Sequence, residues 1–439
     1  MQRLKVSNNK RFLMKENGES FFWLGDTAWE LFHKLTKEDA KFYFENRSTL
    51  EFNVVQAVLL AEDCGLEKEN AYGRVPLLQN EAGIFDPGMP DTSGSYSYWE
   101  HVDYLIDLAE TYEMYVALLP TWGDKFNQMT GKGPVIFSSE NAYQYGKWLG
   151  NRYVGKNNII WVLGGDRELS KSRHFRIIQE MARGIREIIG ENQLMTFHPK
   201  GGVSSSYHLH EEDWLDFNMI QSSHGDGPRT NYRNVQEDFY LQPIKPTIDS
   251  EPCYEDHPRG FQGERGYFDQ ADVRQAAYYA VFSGSFGHTY GHNSIWAMVS
   301  NLDNVPVSSP MNNYFIMSWK QGLNRPGAWQ MRHLKHLMES FDFTKSSPKQ
   351  NLIASNYSGA NYLVALEGEN CAFIYSPNGL RMNVSVEEFS TEKIRAKWFN
   401  PRNGEYLLID GDISLPSHLF VPPTSGRGED WVLVMEKIK

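Results

Sequence analysis

The sequence predicts an α/β protein, a (β/α)8 barrel followed by a small all-β sandwich. Two observations predict the barrel. Short apolar runs alternate with longer segments of helical period, and eight such strand-and-helix units span roughly 320 residues. A third observation predicts the second domain, because after residue 343 the sequence changes to short strands separated by turn residues.

The apolar runs of the barrel region are bounded by Gly, Pro, Asp or Asn, the residues that interrupt regular structure. They cover residues 21–26, 53–60, 115–120, 159–166, 193–198, 217–222, 246–251 and 284–288. We therefore expect eight parallel strands in this order, each followed by a helix.

Cap residues support the predicted helices between these runs. Thr36 and Asp269 stand where a helix needs an N-cap, and Gly190 stands where a helix would stop. A doubly wound sheet is the alternative, and it would normally show a glycine-rich phosphate turn after its first strand. The first predicted strand ends at Asp26 without that turn, which favours the barrel.

The tail is predicted to be a separate β-sandwich, with a boundary near Thr344 that divides the chain into 1–343 and 344–439. Its predicted strands are 362–366, 371–375, 394–399 and 431–435. Turn dipeptides at 378–379 and 403–404, both Asn-Gly, separate strands at near-regular intervals. This pattern is typical of a small all-β sandwich.

The composition is that of a globular protein rich in aromatic rings. Hydrophobic residues make up 41% and aromatic residues 14% of the chain, and rings beyond the needs of a core often line ligand clefts. The formal net charge is −12, which argues against nucleic acid or an anionic membrane surface as a partner, because both require a basic footprint. The three cysteines are widely spaced, so no disulfide framework is expected.

The sequence also bears on location. No apolar run is long enough to span a membrane, and residues 1–20 lack the apolar middle of a signal peptide. If a signal peptide preceded this start, the protein would be periplasmic or secreted. No sequence feature specifies an oligomeric state.

The predicted strand exits are almost all polar or aromatic. In a (β/α)8 barrel the active site lies at the carboxyl ends of the strands. Carboxylates and amides bind sugar hydroxyls and flat rings bind sugar faces, so we expect an oligosaccharide or polysaccharide substrate. The residues predicted to bind it are Asp26, Trp29, Gln56, Trp122, Asp124, Glu168, His198, Gln221, His224, Tyr290, His292 and Trp296.

Two carboxylates stand out as a candidate catalytic pair. Asp166 follows the fourth predicted strand and Glu251 follows the seventh, and these strands lie on opposite sides of a closed eight-stranded barrel. A glycosidic bond between them could be protonated by one group and attacked, directly or through water, by the other. The alternative for each is a helix cap or an ion pair, for Asp166 with Arg167. Glu168 competes with Asp166 as the proton donor.

The residues beside the pair restrict the backbone. Gly164 and Gly165 allow conformations that other residues avoid, and we expect them to leave room for a ligand beside Asp166. Pro252 restricts Glu251 to extended backbone.

Other chemistries are less well supported. His208 and His210 form an H-x-H motif, but in amidohydrolase-type barrels that motif lies on the first strand, so we expect no catalytic metal and no cofactor. There is no G-x-S-x-G, and Cys253 has no evident activating partner. A non-catalytic carbohydrate-binding or adhesion protein is the alternative, although a binder has no use for opposed acids.

Three segments resemble the apiosidase-like glycoside hydrolases, a (β/α)8 family related to glycoside hydrolase clan A. They are FWLGDTAWE at 22–30, GGD at 164–166 and SEP at 250–252. The tail, with WFNPR at 398–402 and WVLV at 431–434, resembles the small β-domain of the collagen-binding type usually found behind that barrel. The resemblance covers nearly the whole chain.

The resemblance implies that Asp166 is the acid/base and Glu251 the nucleophile. Clan A usually has Asn-Glu at the fourth strand, whereas this sequence has Gly165-Asp166, which keeps Glu168 as a competing donor. The characterised activity in the family removes apiose from side chains of the plant pectin rhamnogalacturonan-II. We therefore expect a retaining, exo-acting glycosidase that acts on plant polysaccharide side chains.

Overall fold

Eight parallel strands form the curled sheet of the first domain. The computed structural model describes residues 1–62, 64–129, 131, 133–302, 313–390, 393–411, 413 and 415–438. The barrel strands are β1 (Trp23–Thr27), β2 (Val54–Val58), β3 (Tyr115–Leu119), β4 (Ile159–Gly164), β5 (Met195–His198), β6 (Asn218–Gln221), β7 (Thr247–Asp249) and β8 (Gly287–Tyr290). Each predicted run overlaps one of these strands, which confirms the predicted (β/α)8 architecture.

The sheet closes into a barrel between β5 and β6. Its hydrogen-bonded order is β5-β4-β3-β2-β1-β8-β7-β6, and a short strand, Val203–Ser204, pairs antiparallel with β6. At the closure the amide of Asp216 donates to the carbonyl of Met195 at 2.9 Å, and the hydroxyl of Thr196 donates to the carbonyl of Phe217 at 2.6 Å. The strand ends therefore converge on one face.

A helix follows each barrel strand. The helices are α1 (Lys37–Thr49), α2 (Tyr98–Thr111), α3 (Ser139–Tyr153), α4 (Ser172–Ile189), α5 (Ser206–Leu209), α6 (Asn231–Phe239), α7 (Gln270–Phe282) and α8 (Pro326–Glu339). The predicted caps are confirmed: the Thr36 hydroxyl accepts from the amide of Asp39, the Asp269 carboxylate accepts from two amides at the start of α7, and Gly190, with φ +57°, ends α4.

Shorter elements lie between the main strands and helices, both in the barrel region and in the tail. The additional strands are Leu4–Val6, Leu13–Lys15, Ser20–Phe21, Leu77–Gln79 and Phe85–Pro90, and the short α-helices are Leu31–Lys34, Asn293–Trp296 and Trp319–Gly322. Single 3₁₀ turns are Gly123–Lys125, Arg259–Phe261, Gly263–Arg265, Phe343–Lys345, Gln350–Leu352, Gly359–Asn361 and Val386–Glu388. Among the described residues no helix combines the length and apolar character needed to cross a bilayer.

The tail folds as two antiparallel sheets, as predicted. Its strands are β9 (Ser347–Pro348), β10 (Ile353–Ser355), β11 (Val364–Glu367), β12 (Cys371–Ser376), β13 (Met382–Ser385), β14 (Ile394–Phe399), β15 (Tyr406–Leu408), β16 (Ser417–Phe420) and β17 (Trp431–Lys437). One sheet has the order β9-β11-β12-β17-β14-β15 and the other the order β10-β13-β16. Buried side chains such as Ile374, Val384 and Leu433 fill the space between them.

The larger tail sheet also packs against the barrel helix that follows β7. Tyr375 on β12 stacks on Tyr278 of α7 with ring centroids 4.8 Å apart. Arg274 of α7 makes a buried ion pair with Asp430 at 2.6 Å. The tail therefore supports α7, the helix that comes after the loop carrying Glu251.

Candidate active site

A recess of about 150 Å³ lies at the carboxyl ends of the barrel strands. Seven of the predicted site residues line it, namely Trp29, Trp122, Asp166, Gln221, His224, Glu251 and Trp296. Six residues that sequence reasoning missed also line it, namely Glu62, Ser223, Tyr254, His257, Phe261 and Tyr314. The structure thus brings both candidate catalytic carboxylates into one recess.

Glu251 is held by three neighbouring side chains. The Tyr254 hydroxyl donates to Oε1 at 2.7 Å, and His224 Nε2 lies 3.3 Å from the same oxygen. His198 Nε2 lies 2.8 Å from Oε2. Tyr254 in turn accepts a hydrogen bond from the indole of Trp29 at 3.2 Å. The carboxylate therefore faces a fixed set of donors.

Backbone amides fix the tautomers of the two histidines. The amide of Asp166 donates to His198 Nδ1 at 3.2 Å, and the amide of Tyr254 donates to His224 Nδ1 at 3.4 Å. A neutral imidazole has one N–H, so with Nδ1 as the acceptor the proton lies on Nε2. His224 therefore presents an N–H to Glu251 Oε1, whereas His198 Nε2 lies close to Oε2 without the alignment of a hydrogen bond.

The environment of Glu251 favours its charged form. Burial would raise the pKa of this carboxyl, but the polar ring nitrogens of His198 and His224 that face it outweigh burial and hold the pKa well below its usual range. Glu251 is therefore ionised throughout the physiological pH range.

Asp166 lies on a tight turn directly after β4. Gly164, Gly165 and Asp166 have φ of +93°, +111° and +51°, and a left-handed backbone is uncommon for an aspartate. A Cβ on Gly165 would come within 3.0 Å of the Trp122 Cα, and one on Gly164 within 2.5 Å of the His198 carbonyl. The glycines thus allow close backbone packing, which corrects the expectation that they leave room for a ligand.

The environment of Asp166 favours its neutral form. Burial, together with the negative charge of Glu251, raises the pKa of this carboxyl to about 6, although the positive charge of Arg167 opposes both effects. The side chain is still 37% exposed, so it can reach a ligand in the recess. Asp166 therefore combines access to the recess with a proton that it retains up to about pH 6.

Arg167 is shared between two carboxylates of the site. Its guanidinium lies 3.0 Å from Asp166 Oδ2 and 2.5 Å from Glu62 Oε1. Glu62 lies beyond the exit of β2 and lines the recess. Because one cation serves two anions, Glu62 limits how strongly Arg167 can favour ionised Asp166.

Glu168 lies apart from the carboxylate pair. It forms an ion pair with Lys200 at 3.0 Å and lines a separate cavity beside the recess. Its role as a competing proton donor therefore has less geometric support than that of Asp166.

Aromatic and amide groups form the walls of the recess. The rings of Trp29 and Trp122 are 5.1 Å apart and tilted, and Trp29 also meets His198 edge to face. Among the described residues Trp122 Nε1 and Gln221 Oε1 have no hydrogen-bond partner although both are buried. A sugar hydroxyl could bond to either atom.

Besides Glu168 and His198, five predicted binding residues do not line the recess. Asp26 is fully buried between the Tyr43 hydroxyl and the Arg47 guanidinium, because its side chain points toward α1. Asp124 is bonded to Lys125 and to the amide of Gly133. Neither carboxylate therefore lines the recess.

The other three such residues also have structural partners. The Gln56 amide donates to the carbonyl of Ser250 at 2.9 Å, beneath Glu251. The Tyr290 hydroxyl donates to a buried oxygen of Glu255. His292 contacts Asp256 at 3.0 Å and caps a short helix. Of these groups, Gln56 is the one that supports the backbone next to the candidate catalytic residue Glu251.

The two histidines of the H-x-H motif, His208 and His210, contact different parts of the protein. The ring of His208 packs edge to face against Tyr207, whereas His210 bonds to Asn218 and to the carbonyl of Pro243. In the part of the chain that the structure describes, no group of three or more potential His, Cys, Asp or Glu ligands is close enough to hold a metal.

The fold and the opposed carboxylates define a glycoside hydrolase of the (β/α)8 type. A family model described as "Apiosidase-like, catalytic domain" matches residues 7–345, and one described as "Putative collagen-binding domain of a collagenase" matches residues 347–436. The chain therefore belongs to the apiosidase-like glycoside hydrolases, as its motifs indicated.

Solved structures agree with this membership. A glycoside hydrolase family 5 protein from Bacteroides vulgatus ATCC 8482 is 31% identical, with a TM-score of 0.88 over 99% of this chain and 92% of that chain. A second structure, described as a glycoside hydrolase, is 32% identical, with a TM-score of 0.87 over 99% and 97% of the two chains. No match was found among curated proteins.

Proposed function

We propose that this glycoside hydrolase is retaining and exo-acting, with Asp166 as the acid/base and Glu251 as the nucleophile. The observation that carries the proposal is the contrast within one recess between a carboxyl with a raised pKa and a carboxylate with a lowered pKa. Hydrolysis with retention needs one neutral and one ionised carboxyl group at the start of the reaction.

In the first step the protonated carboxyl group of Asp166 gives its proton to the glycosidic oxygen, while the bond from that oxygen to the anomeric carbon breaks. Glu251 Oε forms a bond to the same carbon, so the sugar is held as an ester and the alcohol leaves. The donors on Glu251 orient its attack and stabilise the carboxylate when it leaves again.

In the second step Asp166, now ionised, takes a proton from water. The water oxygen bonds to the anomeric carbon while the bond to Glu251 breaks, which releases the sugar and restores both carboxyl groups. Loss of the negative charge on Glu251 in the intermediate lowers the pKa of Asp166, and its return raises that pKa again.

The size of the recess supports action on a terminal sugar. A cavity of about 150 Å³ is smaller than the roughly 300–1,000 Å³ of sites that enclose larger ligands. Trp29 and Trp122 supply aromatic surface for a sugar face. We infer an exo-acting enzyme that removes apiose or a related sugar from pectic side chains, as the family resemblance implies.

Location follows from the proposed substrate. Plant polysaccharide is met outside the cytoplasm, so we place the enzyme in the periplasm or the surrounding medium. Fractionation of cells that express the native gene, followed by immunodetection, tests this placement.

A screen for released monosaccharide tests the proposed reaction. Wild-type enzyme is incubated with pectic glycans, including rhamnogalacturonan-II, beside Glu251→Ala and Asp166→Ala. We expect release of apiose by the wild type and losses of about 10⁴-fold or more for Glu251→Ala. Full activity in both variants would overturn the assignment, and glycan binding with no released sugar would favour a binding protein.

Two further measurements test retention. ¹H NMR of the released sugar should show the starting anomeric configuration first, and mass spectrometry of enzyme trapped with a slow fluorinated substrate should place the sugar on Glu251. An initially inverted product would assign Glu251 as a base that activates water instead.

A further inference from the structure

A second buried histidine, His257, packs against His224 on the wall of the recess. Their rings are stacked, with centroids 4.2 Å apart and planes inclined by 22°. His257 lies in the loop between β7 and α7, is 1% exposed and lines the recess together with Tyr314. Because His224 bonds to Glu251, His257 lies one contact away from that carboxylate.

Both ring nitrogens of His257 have partners of their own. Nδ1 lies 2.7 Å from the carbonyl oxygen of Pro258, and Nε2 lies 2.9 Å from the hydroxyl of Tyr314. A carbonyl oxygen can only accept, so the ring proton lies on Nδ1 and the Tyr314 hydroxyl donates to Nε2. Burial also lowers the pKa of His257 far below its usual range. His257 therefore stacks on His224 as a neutral ring.

His224 depends on such packing because its own hydrogen bonds are long. Its Nδ1 accepts from the amide of Tyr254 at 3.4 Å, and its Nε2 lies 3.3 Å from Glu251 Oε1. Both distances exceed the roughly 2.7–3.2 Å of typical protein hydrogen bonds, so these bonds constrain the ring weakly. The rings of His257 and Tyr254 pack on it at 4.2 and 4.3 Å and restrict its rotation. Packing therefore sets the direction in which the His224 N–H points.

Tyr314 ties His257 to the connection between β8 and α8. The two rings meet edge to face at 5.3 Å. The carbonyl of Tyr314 accepts from the side-chain amide of Asn293, and the Tyr267 hydroxyl donates to the neighbouring carbonyl of Asn313 at 2.6 Å. These contacts hold the Tyr314 hydroxyl at Nε2, so two loops fix His257.

We propose that His257 is a positioning residue for Glu251: its ring holds His224 in the orientation in which Nε2–H meets Oε1, and the Tyr314 hydroxyl holds His257. The inference rests on the proposed function in that it takes Glu251 as the nucleophile. The titratable groups that face Glu251 are Asp166, His198, His224 and Tyr254, with His257 and Tyr314 at longer range.

Three variants separate ring packing from hydrogen bonding. His257→Ala removes the ring, Tyr314→Phe removes the hydroxyl, and the double variant His257→Phe/Tyr314→Phe keeps a flat ring against His224 and leaves no hydroxyl unpaired. We expect kcat/KM on rhamnogalacturonan-II to fall about 10- to 50-fold in His257→Ala, and by no more than about 5-fold in Tyr314→Phe and in the double variant. A double variant as impaired as His257→Ala would overturn positioning by stacking.

The pH profile distinguishes this role from a merely structural one. In His257→Ala the fall of activity at low pH should begin at a higher pH than in the wild type, because Glu251 loses an oriented donor and its pKa rises. His101→Ala is the matched control, since His101 is also buried and its ring nitrogens also contact a tyrosine hydroxyl, that of Tyr96, and a backbone carbonyl, that of Leu35. An unchanged profile in His257→Ala, or an equal shift in His101→Ala, would contradict the proposal.

NMR gives a readout that needs no catalysis. In ¹⁵N-labelled wild-type protein the Nε2–H of His224, assigned by its loss in His224→Gln, should give a signal protected from exchange with water. That signal should persist in the double variant and disappear or shift in His257→Ala; an unchanged signal in His257→Ala would overturn the proposal. If the wild type releases no sugar from pectic glycans while the signal behaves as expected, the proposed function has failed and the positioning of His224 has not.

Discussion

Glu251 and Asp166 face the same recess, yet their surroundings shift the pKa values of these two carboxyl groups in opposite directions. Glu251 is almost enclosed, accepts hydrogen bonds from Tyr254 and His224, and lies 2.8 Å from His198 Nε2. Asp166 is more open, lies on a left-handed turn, and has one cation, Arg167, that it shares. Burial raises the pKa of both groups, so the donors are what separate them.

The backbone also couples the two candidate catalytic groups. The amide of Asp166 bonds to His198, and His198 contacts Glu251. The turn that carries Asp166 therefore also positions His198, which faces Glu251. A change in the turn should disturb both carboxyl groups, whereas a change in the donors should disturb Glu251 first.

After the loss expected for Glu251→Ala, the largest effect comes from removing the proposed acid while leaving the turn intact. Asp166→Asn should lower kcat/KM on a natural glycoside about 10²- to 10⁴-fold, because a poor leaving group needs a proton. On a 2,4-dinitrophenyl glycoside, whose leaving group needs none, the loss should be within about tenfold. Equal losses on both substrates would assign Asp166 a role other than proton donor.

The next effect comes from removing a donor to the nucleophile. His198→Ala should lower kcat/KM about 10- to 100-fold, since burial would then raise the pKa of Glu251 with one donor fewer. The activity of this variant should fall as the pH decreases and Glu251 becomes protonated. The wild type should show the same fall only at a lower pH. Tyr254→Phe is the milder matched variant, and an unchanged acid limb in both would contradict the role of the donors.

A stability measurement examines the turn. Gly165→Ala should lower the free energy of unfolding by about 2–4 kcal/mol, because φ is +111° and the new Cβ would meet Trp122. Gly155→Ala is the matched control, since a Cβ there meets no atom within 4 Å. Chemical denaturation of both variants measures the difference, and equal stabilities would show that the turn tolerates a side chain.

The smallest effect is expected from a change beside Arg167, the cation that Asp166 and Glu62 share. Glu62→Gln should release Arg167 to Asp166, lower the pKa of Asp166, and lower kcat/KM about 3- to 10-fold at neutral pH. The loss of activity with rising pH should then begin at lower pH than in the wild type. Glu168→Gln should leave the position of that limb unchanged, because Glu168 pairs with Lys200. If the decline at high pH shifts in Glu168→Gln and not in Glu62→Gln, then Glu168 and not Glu62 influences the pKa of Asp166.

The sequence carried enough information to predict the eight strands, the helix caps and the approach of two strand-exit carboxyl groups to one face of the barrel. Strand periodicity and turn residues are local signals, so β4 and β7 could be placed and their exits compared. Asp166 and Glu251 do lie in one recess. The role of each carboxyl group is still a proposal, because donors such as His224 come from distant parts of the chain.

The errors have a common physical cause. The position of a residue at the end of a strand predicts how far along the barrel axis it lies. It does not predict the direction of the side chain, because successive side chains on a strand point to opposite faces of the sheet. Asp26 points toward Arg47 on α1, and Tyr290 points toward Glu255. The missed residues, such as Glu62 and Tyr254, lie several positions beyond the exits, where loop geometry decides what faces the recess.

The most direct test of the central claim is the pH dependence of kcat/KM for the wild type, which reports ionisation in the free enzyme. With Asp166 as the acid, activity should be constant at low pH, where Glu251 stays ionised, and should fall as pH rises through about 6. In Asp166→Asn with the dinitrophenyl glycoside that fall should disappear. A wild-type profile with no decline near pH 6, or a decline that persists in Asp166→Asn, would contradict the opposite tuning of the two carboxyl groups.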